Sequence, residues 1–235
     1  MKLKEAMAAL EAKGSESVKQ LWIKHGAREP FFGVKIGDLK PLAKKLQGEQ
    51  GLALELYATG NGDAQYLAGM IADGAKMTRA QVQSWADKAA WRMISASIVP
   101  WVVSEHPEGL ALALDWIDSR KEQVAIAGWY SLGALMTVRP DENLPVKELG
   151  ARLDHIAKVL PAAPNRVRQA MNHYVIACGT YVAPLGTKAI AAARKLDQVE
   201  VDVGDTDCKI PDAESAIMKS RRGASIAPKR KTVRC

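Results

Sequence analysis

Arg166 and Arg168 open a segment with helical periodicity. A helix N-terminus leaves backbone N–H groups unpaired and carries partial positive charge, so two guanidinium groups there suit a phosphate. The competing reading is ordinary surface charge. His173 follows five residues after Arg168, as a groove residue or as a satisfied core histidine. Lys35, Lys40, Lys44 and Lys45 offer a second basic stripe, with Lys40 and Lys44 on one face by i, i+4 spacing. Lysines on a helix exterior also serve solubility alone. Trp91 stands between Lys88 and Arg92, so its ring can lie against a sugar–phosphate backbone or pack in a core. Near the end of the chain, Lys229-Arg230-Lys231 and Arg234 come with no acid among them. Such a run is a phosphate-binding arm, or it lies along the acidic stretch before it, which carries Glu200, Asp202, Asp205, Asp207, Asp212 and Glu214.

Other chemistries find little support. No GxSxG, HExxH, P-loop or post-strand GxGxxG pattern occurs. Cys178, Cys208 and Cys235 are odd in number, far apart and without CxxC spacing, which argues against a disulfide framework and suits a reducing cytoplasm. His25, His106, His155 and His173 do not cluster, so neither a metal site nor another cofactor is expected. The formal charge of +7 draws polyanions and points to nucleic acid as partner. No stretch of about 20 apolar residues suggests a membrane span, and the N-terminus reads as an amphipathic helix, not a signal peptide. A cytoplasmic monomer is the expectation.

The elements that must position these residues are helices. Leu3, Met7 and Leu10 repeat at i, i+4 and i+7. Gly14-Ser15 breaks that helix, with Ser15 or Ser17 available as the next N-cap. The second helix ends near His25-Gly26, and Asp38 is placed to cap a third. The rhythm predicts further helices near 49–58, 63–73, 78–89, 91–104, 107–118, 121–137, 145–159, 165–181 and 185–196. A short one is expected from Asp212 to Arg221. Alternation appears only over Val199–Val203, read as an extended segment instead of a sheet. Short helices joined by tight turns bury their faces by stacking as antiparallel pairs, with a pair period near 35–40 residues. The fold class is therefore all-α, an α-solenoid of HEAT-like repeats over 1–198 with a C-terminal extension over 199–235. A compact irregular bundle is the alternative.

Particular residues carry a family resemblance. Phe31-Phe32-Gly33-Val34-Lys35-Ile36-Gly37-Asp38-Leu39-Lys40-Pro41-Leu42-Ala43-Lys44-Lys45-Leu46 resembles the opening motif of the DNA alkylation repair (AlkD-like) family. Trp91 begins a helix after one containing Trp85, Val124-Ala125-Ile126 sits in the next long helix, and Val167-Arg168-Gln169-Ala170-Met171 resembles a later family segment. The closing Lys229–Cys235 looks like the ending of a bacterial subgroup. The resemblance spans about residues 15–200 and that ending. It implies HEAT-like repeats around a concave basic groove that holds duplex DNA. Glycosylase members excise cationic N-alkylated purines with a groove aspartate, aromatic residues and an arginine on a phosphate. A carboxylate stabilises the sugar cation as the already charged purine leaves.

The sequence departs from that pattern. The family's aspartate follows its tryptophan by four residues, so Trp91 places neutral Ser95 there. The arginine position falls within Gln123–Ala127, which has no arginine, and the later tryptophan falls at or beside His173. Asp87 and Asp115 reach the aspartate position only if the whole register moves. The resemblance thus implies a DNA-binding protein that grips the backbone of duplex, damaged or branched DNA through Trp91, Arg92, Ser95, Arg166, Arg168, His173, Lys35, Lys40, Lys229, Arg230 and Lys231. The alternatives are a glycosylase with a rearranged site and a protein-interaction scaffold.

Overall fold

The computed structural model describes residues 1–234; Cys235 lies outside them. Among the described residues there are thirteen α-helices and no strands. They are α1 (Leu3–Glu11), α2 (Glu16–Lys24), α3 (Ile36–Lys45), α4 (Gln50–Ala58), α5 (Gly62–Ile71), α6 (Arg79–Asp87), α7 (Val99–Glu105), α8 (Gly109–Trp116), α9 (Glu122–Val138), α10 (Val146–Val159), α11 (Asn165–Tyr181), α12 (Gly186–Leu196) and α13 (Ala213–Arg221). The π-helical segment Ile94–Ile98 leads directly into α7. No single helix among them is long and apolar enough to cross a membrane.

Side-chain caps set several of the starts. Asn61 Oδ1 accepts from the N–H groups of Asp63 and Ala64 at the head of α5. Thr78 and Gln81 form a reciprocal capping box on α6, and Asp212 accepts from Ser215 N–H on α13. Ser15 occupies the N-cap of α2, yet its hydroxyl meets that of Ser17 and caps no backbone group. Asp38 is not the cap of α3. That helix begins at Ile36, and Asp38 sits in its first turn, where its charge still complements the helix dipole.

The helices form two layers. α5, α7, α9 and α11 make an inner row, each packed on the next, while α4, α6 and α8 cover it and α12 packs on α11. This is the stacking of HEAT-like repeats. Side chains tie the outer helices together. The Tyr57 ring stacks on Trp85 at 3.9 Å and its hydroxyl donates to the Trp85 carbonyl. Trp116 Nε1 donates to Gln83, and Tyr174 donates to the Leu149 carbonyl of α10. Trp85, Trp101, Trp116 and Trp129 are all buried.

The segment after residue 198 packs onto this array. Ile217 of α13 is buried against Gly179 of α11. Residues 199–210 form no strand; Asp202 exchanges hydrogen bonds with Asn165 at the start of α11, and Asp205 reaches Lys24 of α2 at 3.3 Å. The last residues run along the C-terminal ends of the inner helices. Arg221 donates to the Gly179 carbonyl of α11, and Ala227 N–H donates to the Thr180 carbonyl. Lys229 donates to the Met136 carbonyl of α9 and pairs with Asp141 at 2.7 Å. Arg234 donates to the carbonyls of Gly69 and Ala72 at the end of α5 and pairs with Glu105 of α7 at 2.6 Å. These cations satisfy the last carbonyls of three helices at the negative ends of their dipoles. The acidic stretch expected to receive the tail turns instead toward α2.

Candidate nucleic-acid interface

The inner row carries a hollow of about 370 Å³ whose lining includes His25, Arg28, Trp91, Arg92, Glu122, Gln123 and Arg166. Trp91 is half-buried and leans on Trp22 of α2 at 5.7 Å. Beneath it, the loop 31–34 is pinned by Asp63. This buried carboxylate accepts the N–H groups of Phe32, Gly33 and Val34 at 2.6, 2.9 and 3.1 Å. Burial pushes the Asp63 carboxyl above its ordinary value, and the three donors pull it back in part. Gly33 adopts φ +79°, and a Cβ there would meet Ser15 O at 2.6 Å, so the turn requires glycine.

Arg166 lines the hollow from α11 and Arg92 from the helical residues just before the π-helical segment. Both are half-buried, and the Arg92 Nε has no hydrogen-bond partner. Burial, and after it the charge of Arg92, lowers the affinity of the Arg166 guanidinium for its proton. Two cations held close by the fold, one with an unpaired donor, attract an anion. Glu122 is the hollow's acid; its carboxylate accepts the backbone N–H of Arg166 at 3.2 Å.

Arg168 is not part of this pair. Residues two apart on a helix do not share a face. Arg168 lies instead under the 198–210 segment, with Asn165 as its hydrogen-bond partner.

Ser95 does not face the hollow either. It is fully buried and its hydroxyl has no partner. Ser95 does lie one helical turn beyond Trp91, its N–H donating to the Trp91 carbonyl at 3.3 Å, but its side chain turns into the core while Trp91, just before the helix, stays half-buried. Its place as a DNA contact is overturned by burial.

His173 is seven residues beyond Arg166 and shares its face. It stacks on Tyr130 at 4.5 Å and 26°. Gly133 makes room for this: a Cβ there would lie 2.9 Å from His173 Nε2. Burial lowers the imidazole pKa from 6.5 to about 4, so the ring is neutral near pH 7. As pH falls below 6.5, the unfolded chain takes up a proton that the folded ring refuses until about 4, so stability is lost across that window. The expected loss is about 2–3 kcal/mol. Urea unfolding at pH 7, 5.5 and 4.5 measures it, and His173→Phe, which keeps a ring on Tyr130, should flatten the curve over that range.

Lys35 and Lys40 are exposed on and before α3 and do not line this hollow. Lys229 is engaged with Asp141 and the end of α9, so it is not free for phosphate, while Arg230 and Lys231 remain exposed. Asp87 pairs with Lys121 at 2.6 Å and Asp115 with Arg79 at 2.6 Å, both outside the hollow. Of the expected residues, the fold thus gathers Trp91, Arg92 and Arg166 in one hollow.

The family described as DNA alkylation repair enzyme matches residues 6–200 of this chain. The chain belongs to the DNA alkylation repair family. Two uncharacterized relatives, Lin0241 of Listeria innocua and Lmo0209 of Listeria monocytogenes, are 33% and 31% identical over 218 residues, covering 90% of this chain and 94% of each relative. A solved structure described as "a new family of proteins related to the HEAT-like repeat DNA glycosylases with affinity for branched DNA structures" matches with a TM-score of 0.89 and 36% identity over 100% of both chains. This DNA alkylation repair family chain therefore keeps the HEAT-like architecture, with Ser95 buried where the resemblance places a groove aspartate.

Glu122 and Tyr130 escape sequence reasoning at this site. Glu122 reads as a first-turn acid that favours its own helix, and Tyr130 as one aromatic within a long apolar helix. Only the placement of α9 between α7 and α11 turns both toward the arginines.

Proposed function

We propose that this protein is a monomeric DNA-binding protein that grips the backbone of branched or damaged DNA on its inner face without reading base sequence. Arg92 and Arg166 lining one hollow beside Trp91 is the observation that carries this reading. The guanidinium groups contact phosphate, and the Trp91 ring lies against sugar. The affinity of the related structure's family for branched DNA supports the same substrate class. The Arg166→Ala, Arg92→Ala double variant is expected to weaken binding about 10- to 100-fold on every sequence and to reduce the salt slope by about 2. Fluorescence anisotropy across a salt series on a three-way junction and a plain duplex measures both. Absence of binding to any DNA at low salt sinks the proposal.

Glu122 favours a second reading, a glycosylase with a rearranged site. Its carboxylate lies in the hollow that holds Trp91 and both arginines and can stabilise a sugar cation. Release of free alkylpurine from methylated DNA, abolished by Glu122→Gln, is the expected result of that reading. A wild-type protein that binds methylated DNA and releases nothing rejects it.

A further inference from the structure

The arginine hollow leaves the aromatic rings farther along α9 and α11 unexplained. A second pocket, of about 420 Å³, lies farther along α9 and α11 and is bounded by Tyr66, Trp101, Tyr130, His173, Tyr181 and the tail residue Arg230. That volume falls within the range of ligand sites. Tyr130 lines this pocket with its ring stacked on His173, and its hydroxyl lies within electrostatic reach of Arg92 and Arg166. Tyr66 and Trp101 meet edge to face at 5.7 Å on the neighbouring helices. Thr180 also lines the pocket; it is 1% exposed, and its hydroxyl has no hydrogen-bond partner. A buried unpaired hydroxyl is costly, and a bound polar edge would satisfy it.

We infer that this pocket receives an unpaired nucleobase of the DNA strand whose backbone lies on Arg92 and Arg166. The inference rests on the backbone reading above and names the feature of the DNA that the protein selects. Every base has a π face that stacks on aromatic rings, and its edge hydrogen-bonds to a hydroxyl such as that of Thr180. A paired base keeps both faces covered by its neighbours, so entry is cheapest for a base already unpaired at a branch, flap or bubble. A neutral His173 adds a flat ring without a charge that would compete for phosphate.

The test places 2-aminopurine at an unpaired position at the centre of a three-way junction and follows emission and anisotropy on the same complex. Wild-type protein is expected to quench emission about twofold or more on binding, because the base stacks on the pocket rings. 2-Aminopurine paired within an arm should show no such change. Ala96→Trp fills the pocket from the π-helical turn, and Tyr130→Leu removes a ring. Both should remove the quench, and Ala96→Trp should keep its affinity for plain duplex while losing about tenfold for the junction. Far-UV circular dichroism confirms that each variant is folded. Junction binding by wild type with unchanged emission, or an undiminished quench in folded Ala96→Trp, overturns the pocket and leaves the backbone reading standing. Undiminished binding by the double arginine variant overturns the backbone reading, and the pocket assignment falls with it.

Discussion

Truncation after Gly223 is expected to lower the stability of this protein by about 3–5 kcal/mol and its Tm by about 10 °C. The truncated residues leave carbonyls at the ends of α5, α9 and α11 without their donors from Arg234, Lys229 and Ala227. They also remove the cation partners of Glu105 and Asp141, each paired at 2.7 Å or less. An isolated surface ion pair contributes about 0–1 kcal/mol. Here the charged donors also bond helix carbonyls, and each such bond contributes about 1.5–3 kcal/mol. Thermal unfolding of the truncated chain against the full chain measures the loss. Arg230→Ala with Lys231→Ala is the matched control. Both side chains are exposed, so that pair should leave Tm within about 2 °C of the parent. Equal stability of the truncated and full chains would show that the basic tail does not strap the inner helices.

Asp63→Ala carries the second large effect, a loss of about 3–5 kcal/mol. One buried carboxylate satisfies three consecutive backbone donors, from Phe32, Gly33 and Val34. Alanine leaves those N–H groups in a protein interior with nothing to bond, and each unsatisfied donor costs about 1–3 kcal/mol. Asp63→Asn keeps one acceptor and turns an NH₂ toward the remaining donors, so it should cost less, about 2 kcal/mol. Urea denaturation of both variants gives the ranking. The damage should extend to the hollow, because the loop carries Phe31, which lies with Trp22 and Trp91 around one small cavity beside Gly62. Loss of Trp91 fluorescence shift on DNA binding in Asp63→Asn would report it. A neutral effect of Asp63→Ala would mean that water or a rearranged loop replaces the carboxylate.

The helix rhythm was legible because it is local. Apolar residues at i, i+4 and i+7, glycines at helix ends and capping residues such as Asp212 act within a few positions of themselves. The predicted spans accordingly fall on α4 to α12 with shifts of a few residues. Where one residue had several local uses, the reading slipped. Asp38 resembles an N-cap, but the turn at Gly33 lets α3 begin earlier, at Ile36. Trp91 and Arg92 were singled out by their motif and Arg166 by its place at a helix start, and these three line the hollow proposed to bind DNA.

The remainder depends on neighbours distant in sequence. Ser95 was placed by counting one helical turn from Trp91, and the count holds, but packing of the neighbouring helices closes over that position. Arg168 resembled a partner for Arg166, yet the two-residue step sends it under the 198–210 segment. The basic tail announced charge but not destination. Its partners, Asp141, Glu105 and the ends of α5 and α9, are between about 90 and 165 residues away, with no sequence pattern linking them. Residue types and local periodicity thus determined an all-helical chain with arginines, tryptophans and a basic end. Tertiary packing decided which of those cations face one hollow and which are spent on helix carbonyls, because pairing between distant elements is set by the stacking of the inner row and not by the order of residues along the chain.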